Sequence, residues 1–199
     1  MMNTPNKVLV RGNHEDLFEE ACKRTFVKSH DIYNGTAESI AALGAWYIDH
    51  DEEKCCSRAL KIVSPIFNST VNYFETENYI FVHGWIPVKS LDKLPKHYTK
   101  NREFEFNPNW RKAKNKDWEQ ARWGNPFDMA QRKLLPDKTI VFGHWHCSTG
   151  WAQTESRSEF GDDAKFDIFH GDGFVAIDGC TARSGIVNCL VIEDSLLGE

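Results

Sequence analysis

The chain lacks the long apolar segments that mark a membrane protein. No apolar run approaches the roughly 18 residues that a membrane-spanning helix needs. The opening segment, MMNTPNKVLV, has no extended apolar core of the kind found in a signal peptide. We therefore expect no membrane partner and a cytoplasmic location.

The sequence also lacks a disulfide pattern and an excess of positive charge. Its six cysteines have no regular spacing and form no CxxC motif, which predicts reduced thiols. The formal net charge is −5 at pH 7, so no basic excess is present to bind nucleic-acid phosphates tightly. We therefore do not expect a nucleic-acid partner.

The composition is that of an ordinary folded domain. Of the 199 residues, 41% are hydrophobic and 27% are charged, which is typical of a globular protein that buries a core. One domain is the default at this length, so we expect residues 1–199 to form a single domain.

Strand and helix patterns alternate along the chain, which predicts an α/β fold. Short β-branched or aromatic runs predict strands, and apolar residues three and four apart predict helices. The predicted strands are Val8–Val10, Val71–Glu75, Tyr79–Val82, Thr139–Phe142, Phe174–Ile177 and Gly185–Ile192. The predicted helices run from Glu15 to about Lys28, from Thr36 to Ile48 and over residues 49–61.

Two long segments show no sustained periodicity of apolar residues. Between Pro87 and Asn125, Lys, Asn, Pro and Trp dominate, and long irregular segments in compact domains are usually functional or mobile. We expect residues 88–125 to form an insertion or cap loop on the substrate side. A second, polar loop is expected from His146 to about Asp172.

Three predicted strands end in a loop that carries a histidine close to a glycine. The segments are Val8–Glu15, Tyr79–Gly84 and Thr139–His146. Neighbouring strands that finish at one sheet edge bring their loops together, so residues distant in sequence can reach one ligand. Imidazoles and an amide oxygen suit Mn, Fe or Zn better than Ca. The pattern predicts a divalent-metal site.

The recurrence of the motif carries this prediction, because a single histidine at a strand end is more often structural than a ligand. The remaining four histidines lie in ordinary polar contexts, which favours solvated or locally hydrogen-bonded side chains. They are His30, His50, His97 and His170.

The ordered motifs resemble the last three motifs of calcineurin-like metallophosphoesterases, including bacterial and phage serine/threonine protein phosphatases. The matching segments are Gly12-Asn13-His14-Glu15, His83-Gly84 and Gly143-His144-x-His146, and the similarity covers nearly the whole chain. The segment Ala176–Thr181 also resembles the closing strands of the bacterial branch. The resemblance implies a central β-sandwich of mixed sheets flanked by helices.

The resemblance also implies a role for each matching histidine. Asn13, His83 and His144 would ligate one metal of a binuclear pair, and His146 would face the other metal. His14 would contact the phosphate and help to protonate the leaving oxygen, with a purely structural hydrogen bond as the alternative.

Three flanking groups have less specific expectations. Glu15 is expected to orient its loop or cap the following helix rather than bind metal. Arg122 lies where an arginine of the insertion could reach the phosphate, and a solvent-facing arginine is the alternative. Trp85, Trp145 and Trp151 could wall the site, although packing between sheet and loop is the commoner role.

The implied activity is hydrolysis of phosphate monoesters by a metal-activated water, with two divalent ions (Mn, Fe or Zn) in the intact fold. The substrate would be a phosphorylated protein or a small ester. A nucleotide or phosphodiester hydrolase is the alternative within the enzymes.

The sequence departs from the family at its start. The first two family motifs, GDxHG and GDxxDR, supply ligands to the first metal and the bridging aspartate, and neither occurs here. We therefore expect the C-terminal two-thirds of the fold, without the first βαβ portion, and one weak metal site. A separately encoded N-terminal half, a truncated reading frame and a catalytically inactive remnant are the three interpretations.

Overall fold

The chain folds into two units of unequal size and different secondary structure. The computed structural model describes residues 5–48, 50–91 and 103–195. The N-terminal unit is Met1–Val71 and the C-terminal unit is Asn72–Glu199. Helices and mixed sheets both occur, which confirms the predicted α/β class.

The N-terminal unit is mostly helical. Its strands are β1 (Leu9–Val10) and β2 (Thr70–Val71), which pair in parallel. Its helices are α1 (Asn13–Arg24), α2 (Ser29–Tyr33), α3 (Thr36–Leu43) and α4 (Glu52–Phe67).

The apolar faces of α1, α3 and α4 form the core of this unit. The buried residues are Phe18, Ala21, Cys22, Ile40, Cys55, Cys56, Ala59 and Val63. Those on α1 are three and four positions apart, as the sequence pattern predicted, because this spacing places them on one helix face.

The first two of the three predicted helices correspond to α1 and α3, and both end earlier than predicted. α1 stops at Arg24 rather than near Lys28, because Thr25 adopts the left-handed conformation with φ 62°. α3 likewise ends at Leu43 rather than Ile48. Both differences lie at helix ends, where apolar periodicity carries little information.

Polar side chains fix the starts of α2 and α4. Asp31 is 1% exposed, pairs with Nη2 of Arg24 at 2.6 Å and accepts a hydrogen bond from the Lys28 amide at 2.7 Å. These contacts support α2, which the sequence pattern did not predict. α4 begins after Asp51, whose Oδ1 accepts from the amide of Lys54 at 3.1 Å. The predicted helix over residues 49–61 is thereby confirmed from Glu52 onward, and it continues beyond the predicted end to Phe67. Residue 49 lies outside the described residues.

The C-terminal unit is built on a five-stranded mixed sheet in the order β3-β4-β7-β9-β8. β4, β7 and β9 are parallel, and each edge strand is antiparallel to its neighbour. The strands of the unit are β3 (Phe74–Glu75), β4 (Tyr79–Val82), β5 (Lys89–Ser90), β6 (Phe104–Glu105), β7 (Thr139–His146), β8 (Phe169–Gly171) and β9 (Phe174–Asp178). The α-helices are α5 (Asn115–Arg122), α6 (Pro126–Gln131), α7 (Cys147–Glu155) and α8 (Thr181–Ser184).

The parallel strands lie at the centre of the core of the C-terminal unit. Ile80 pairs with Ile140 and Val82 pairs with Phe142, and all four side chains are buried. Central parallel strands have near-continuous apolar sequences, and this is why both strands could be predicted.

The predicted hairpin is confirmed, with Phe74 opposite Phe81 and Glu75 opposite Ile80. Its first strand is shorter than the predicted Val71–Glu75, because Val71 pairs with Val10 in the other sheet. The predicted strand Gly185–Ile192 is wrong, because no strand covers these residues in the described part of the chain. Gly185 has φ 72° and ends α8, and the segment beyond it is held by side-chain bonds rather than by a ladder.

The two irregular segments contain more structure than predicted. Residues 88–125 include the β5–β6 pair and α5, and a 3-10 turn at Trp110–Lys112, while residues 92–102 lie outside the description. The expected polar loop after His146 begins instead with the helix α7. Helices of eight or nine residues are too short to show a clear apolar period.

In the described parts of the chain, no helix combines the length and the apolar character that a bilayer crossing would demand.

Candidate metal and phosphate site

Three parallel strands finish at one edge of the five-stranded sheet. β4 ends just before His83, β7 carries Gly143–His146 at its end, and β9 ends at Asp178. Val82 lies opposite Phe142 in the register, so the residues that follow these positions emerge side by side. This edge is where open α/β sheets bind their ligands.

His83 and His144 form a close pair at this edge. Nε2 of His83 lies 3.1 Å from Nδ1 of His144, and the ring centroids are 4.8 Å apart with the planes inclined by 53°. The distance permits a hydrogen bond when one of the two nitrogens carries a proton. It also suits two ligands of one cation, because nitrogens at 2.0–2.1 Å from a metal are separated by about 2.9 Å at a right angle and about 3.4 Å at the tetrahedral angle.

β7 bulges where the pair forms. His144 has φ 63°, a left-handed conformation in which histidine is enriched several-fold, and the register against β9 shifts between Phe142 and His146. The Gly143 amide donates to the carbonyl of His83 at 3.0 Å. The predicted separate loop is therefore an irregular extension of the strand, and such bulges re-aim side chains near functional sites.

His146 lies at the end of the same strand. Its Nδ1 is buried and has no hydrogen-bond partner in the described structure, and its ring packs edge-on against Phe160 with centroids 5.2 Å apart. Buried polar atoms are almost always partnered, so this nitrogen is a candidate ligand. Asp178, opposite His146 in the register, uses Oδ1 to accept from the Cys180 amide at 2.8 Å.

The end of α5 packs directly against the His83–Gly84 turn. The amide of Trp85 donates to the carbonyl of Ala121 at 3.1 Å. A Cβ added to Gly84 would lie 2.7 Å from that carbonyl oxygen and 2.8 Å from the carbonyl oxygen of Arg122. Glycine at position 84 therefore lets the end of the predicted insertion reach the histidine pair.

Arg122 is 5% exposed, and its Nη1 donates to Oδ1 of Asn72 at 2.9 Å. The alternative of a solvent-facing arginine is therefore wrong. The next residue, Trp123, is 48% exposed, and its ring stands edge-on to His144 with centroids 6.2 Å apart. Sequence reasoning did not single out Asn72 or Trp123, and adjacency to Arg122 was the available signal for the tryptophan.

Trp85 is a core residue rather than a wall of the site. It is 1% exposed, and its Nε1 donates to the carbonyl of Leu134 at 3.3 Å. Trp145 and Trp151 also pack against the core cluster. Packing, the commoner role for such aromatics, accounts for all three.

The remaining predicted site residues belong to the N-terminal unit. Asn13 is 3% exposed and is the first residue of α1, and His14 beside it is exposed. Oε2 of Glu15 accepts from the Gly12 amide at 2.7 Å, which confirms the predicted capping role. Joint ligation by Asn13, His83 and His144 stays a prediction.

His14 lines a cavity of about 160 Å³ in the N-terminal unit. The lining residues are His14, Glu15, Phe18, Asn34, Gly35, Thr36, Ser39 and Phe67. Nδ2 of Asn34 is buried there without a hydrogen-bond partner in the described structure. The exposure of His14 is compatible with its predicted contact to a ligand.

Residue types that commonly bind metals do not form a larger cluster. Within residues 5–48, 50–91 and 103–195, no group of three or more His, Cys, Asp or Glu side chains is arranged to hold a metal ion. Zinc sites usually use three or four protein ligands. We therefore expect low affinity from the two nitrogens of the histidine pair alone.

Two of the six cysteines are poorly suited to nucleophilic chemistry because they are buried. All six are free thiols, and burial raises the pKa of Cys22 to about 12 and that of Cys147 to about 11. The thiolate is the nucleophilic form of cysteine, so these two groups stay protonated near neutral pH.

No protein-family model, curated protein or solved structure matches this chain. The functional inference therefore depends on the residues at the sheet edge and on the resemblance of their motifs.

Proposed function

We propose that the chain is a metal-dependent phosphoesterase of the calcineurin-like class, acting on phosphate monoesters and most similar to the serine/threonine protein phosphatases. The observation that carries the proposal is the 3.1 Å approach of His83 Nε2 to His144 Nδ1 where adjacent parallel strands end. The finer fold belongs to the same proposal: a central sandwich of mixed sheets flanked by helices.

His83 and His144 bind the cation as neutral imidazoles, which suit Mn, Fe or Zn. A cation bound there supplies Lewis-acid polarisation of the phosphate and a water of lowered pKa. The bond from the Gly143 amide to the His83 carbonyl, 3.0 Å long, joins the backbone segments that carry the two imidazoles. The unpartnered Nδ1 of His146 serves a second cation in this proposal.

Arg122 supplies positive charge for the phosphate. A guanidinium presents donors in a planar fork that matches phosphate oxygens, and the 2.9 Å bond to Asn72 fixes one of its nitrogens. The motif resemblance adds Asn13 as a third ligand and His14 as the proton donor to the leaving oxygen.

A second candidate is a metal-binding module without turnover, either an inactive remnant or one half of a split enzyme. It is favoured by the finding that no group of three or more candidate ligands occurs in the described structure. Such a module binds the cation weakly and does not hydrolyse esters.

The test combines binding and turnover. Mn²⁺ binding is measured by calorimetry, and hydrolysis of 4-nitrophenyl phosphate is measured with Mn²⁺, for the wild type and for His83→Ala and His144→Ala. We expect each substitution to weaken binding by about tenfold or more, because it removes one of the two nitrogens. His170→Ala, an exposed histidine on the edge strand β8, is the matched control.

The outcomes separate the candidates. Mn²⁺ binding with turnover, both lost in the His83 and His144 variants, supports the phosphoesterase. Binding without turnover favours the module. Equal Mn²⁺ affinity in the wild type and all three variants would refute a metal site at this edge.

A further inference from the structure

An exposed tryptophan borders the histidine pair. Trp123 is 48% exposed, and its ring lies at 85° to that of His144 with centroids 6.2 Å apart. The indole therefore contacts His144 edge-on, while a large apolar area stays open to solvent. A ligand that covers this area would gain the burial energy that the fold leaves unused.

The backbone around Trp123 is held in place. Its amide donates to the carbonyl of Gln120 at 3.2 Å, and the Gly124 amide donates to the carbonyl of Ala121 at 3.1 Å. The Ala121 carbonyl also accepts from Trp85 at 3.1 Å. The backbone that carries the indole is therefore fixed before any ligand arrives, which lowers the entropic cost of a stacking contact.

We propose that Trp123 is a specificity-determining residue that selects phosphate monoesters with an aromatic leaving group. The inference rests on the proposed phosphoesterase function and names its substrate class: aryl phosphates in preference to alkyl phosphates. Aromatic rings attract each other at centroid distances of 4.5–7 Å. Because the Trp123 ring lies 6.2 Å from the His144 ring, we expect an aromatic leaving group on a phosphate held at the His83–His144 pair to contact the indole.

A purely structural role for Trp123 makes a different prediction. If the indole only holds His144 in place, its loss lowers the binding affinity of every phosphate ligand by the same factor. If it contacts the leaving group, only aromatic ligands are affected. The ratio between aryl and alkyl ligands therefore distinguishes the two roles.

The experiment uses the whole chain with Mn²⁺. Binding of phenylphosphonate and methylphosphonate is measured by calorimetry, and kcat/KM is measured for phenyl phosphate and ethyl phosphate. The variants are Trp123→Leu, which removes the ring, and Trp123→Phe, which keeps an aromatic face. Phe26→Leu is the control, because Phe26 is a 47% exposed aromatic that covers Arg24 and Lys28 in the N-terminal unit.

We expect Trp123→Leu to weaken the binding of phenylphosphonate by roughly two- to tenfold, the range that an aromatic pair contributes. The binding of methylphosphonate should stay unchanged. Trp123→Phe should restore most of the preference, and Phe26→Leu should match the wild type. Near-ultraviolet circular dichroism of each variant checks that the chain stays folded.

Equal weakening of both phosphonates by Trp123→Leu would overturn the selectivity inference and leave the proposed function standing. Equal wild-type affinity for the two phosphonates would overturn it as well. If the wild type binds Mn²⁺ but neither a phosphonate nor an ester, both the inference and the proposed function are wrong.

Discussion

At the residue scale, two glycines flank the histidine pair and differ in how closely the backbone approaches them. A Cβ at Gly84 would lie 2.7 Å from the carbonyl oxygen of Ala121, whereas the nearest atom to a Cβ at Gly143 is 3.9 Å away. Neither glycine has a left-handed φ. The difference between them is therefore one of space and not of backbone conformation.

We predict that Gly84→Ala destabilises the protein by about 1–3 kcal/mol, because a backbone carbonyl must move to admit the methyl group. Gly143→Ala, the matched control, should change the free energy of unfolding by less than about 0.5 kcal/mol. Urea denaturation followed by tryptophan fluorescence measures both. Equal stability of the two variants would show that the α5 contact is easily displaced.

Single residues were predictable where the signal was local. The capping contact of Glu15 follows from its position three residues after Gly12, and the structure shows that bond. The bond between Arg122 and Asn72 joins residues 50 positions apart. No periodicity or motif connects such a pair, so only the fold could reveal it.

At the element scale, the segment near residue 194 is fastened to the turn between β3 and β4. Asp194 accepts hydrogen bonds from the Thr76 hydroxyl at 2.6 Å, the Asn78 amide at 2.9 Å and the Asn78 side chain at 2.7 Å. The Thr76 hydroxyl, followed by the Asn78 amide, lowers the pKa of Asp194 from 3.8 to about 2.

A lowered pKa in the folded state gives a stabilisation that exists above the ordinary pKa and is lost as the pH falls through the folded value. We predict that wild type has a higher urea midpoint than Asp194→Ala near pH 7 and that this difference disappears between about pH 4 and about pH 2. Asp162→Ala, at an exposed aspartate, is the control. A difference that persists at about pH 2 would contradict the assigned role of the carboxylate.

Elements were predictable where the apolar pattern is long and continuous. In β7, Ile140, Val141 and Phe142 are buried in succession, and in β4 the buried Ile80 and Val82 alternate with half-buried residues. The apolar runs of both strands identify them. Gly185–Ile192 has a similar β-branched pattern, yet Val187 and Val191 are exposed there. Instead, Asn188 Nδ2 donates to the carbonyl of Phe166 at 2.8 Å, a contact that strand propensity does not describe.

At the scale of the whole molecule, the six cysteines differ in their exposure to solvent. Cys189 is exposed and Cys180 is partly exposed, whereas the other four are buried. The buried thiols are Cys22, Cys55, Cys56 and Cys147. Exposure and thiolate content together control the rate of thiol modification.

We predict that a disulfide reagent such as dithionitrobenzoate modifies Cys189 first and Cys180 more slowly, since burial raises the pKa of Cys180. The four buried thiols should react only as the protein unfolds, which makes their rate a measure of global opening. Cys189→Ser should remove the fast phase alone. Six equally fast thiols in native buffer would mean that the two cores are open in solution.

The α/β class and the shared edge of β4 and β7 could be predicted, because both strand-like runs end beside a histidine. The third such run, Val8–Val10, pairs instead with β2 in a separate two-stranded sheet, and β9 is the strand that lies beside β7. The short pairs β1–β2 and β5–β6 could not be predicted, since two-residue strands have no period. The indole at position 123 was also missed, because the pattern there is irregular and its partner His144 lies in another part of the sequence.

The left-handed backbone at His144 restricts how this position can evolve. Glycine and asparagine tolerate that conformation, whereas valine or isoleucine would force the bulge to straighten. A substitution of His144 therefore preserves the shape of the strand most easily when the new residue is glycine or asparagine, and neither of these carries an imidazole. A relative that keeps the bulge but carries Gly or Asn at this point would retain the scaffold and lose half of the nitrogen pair.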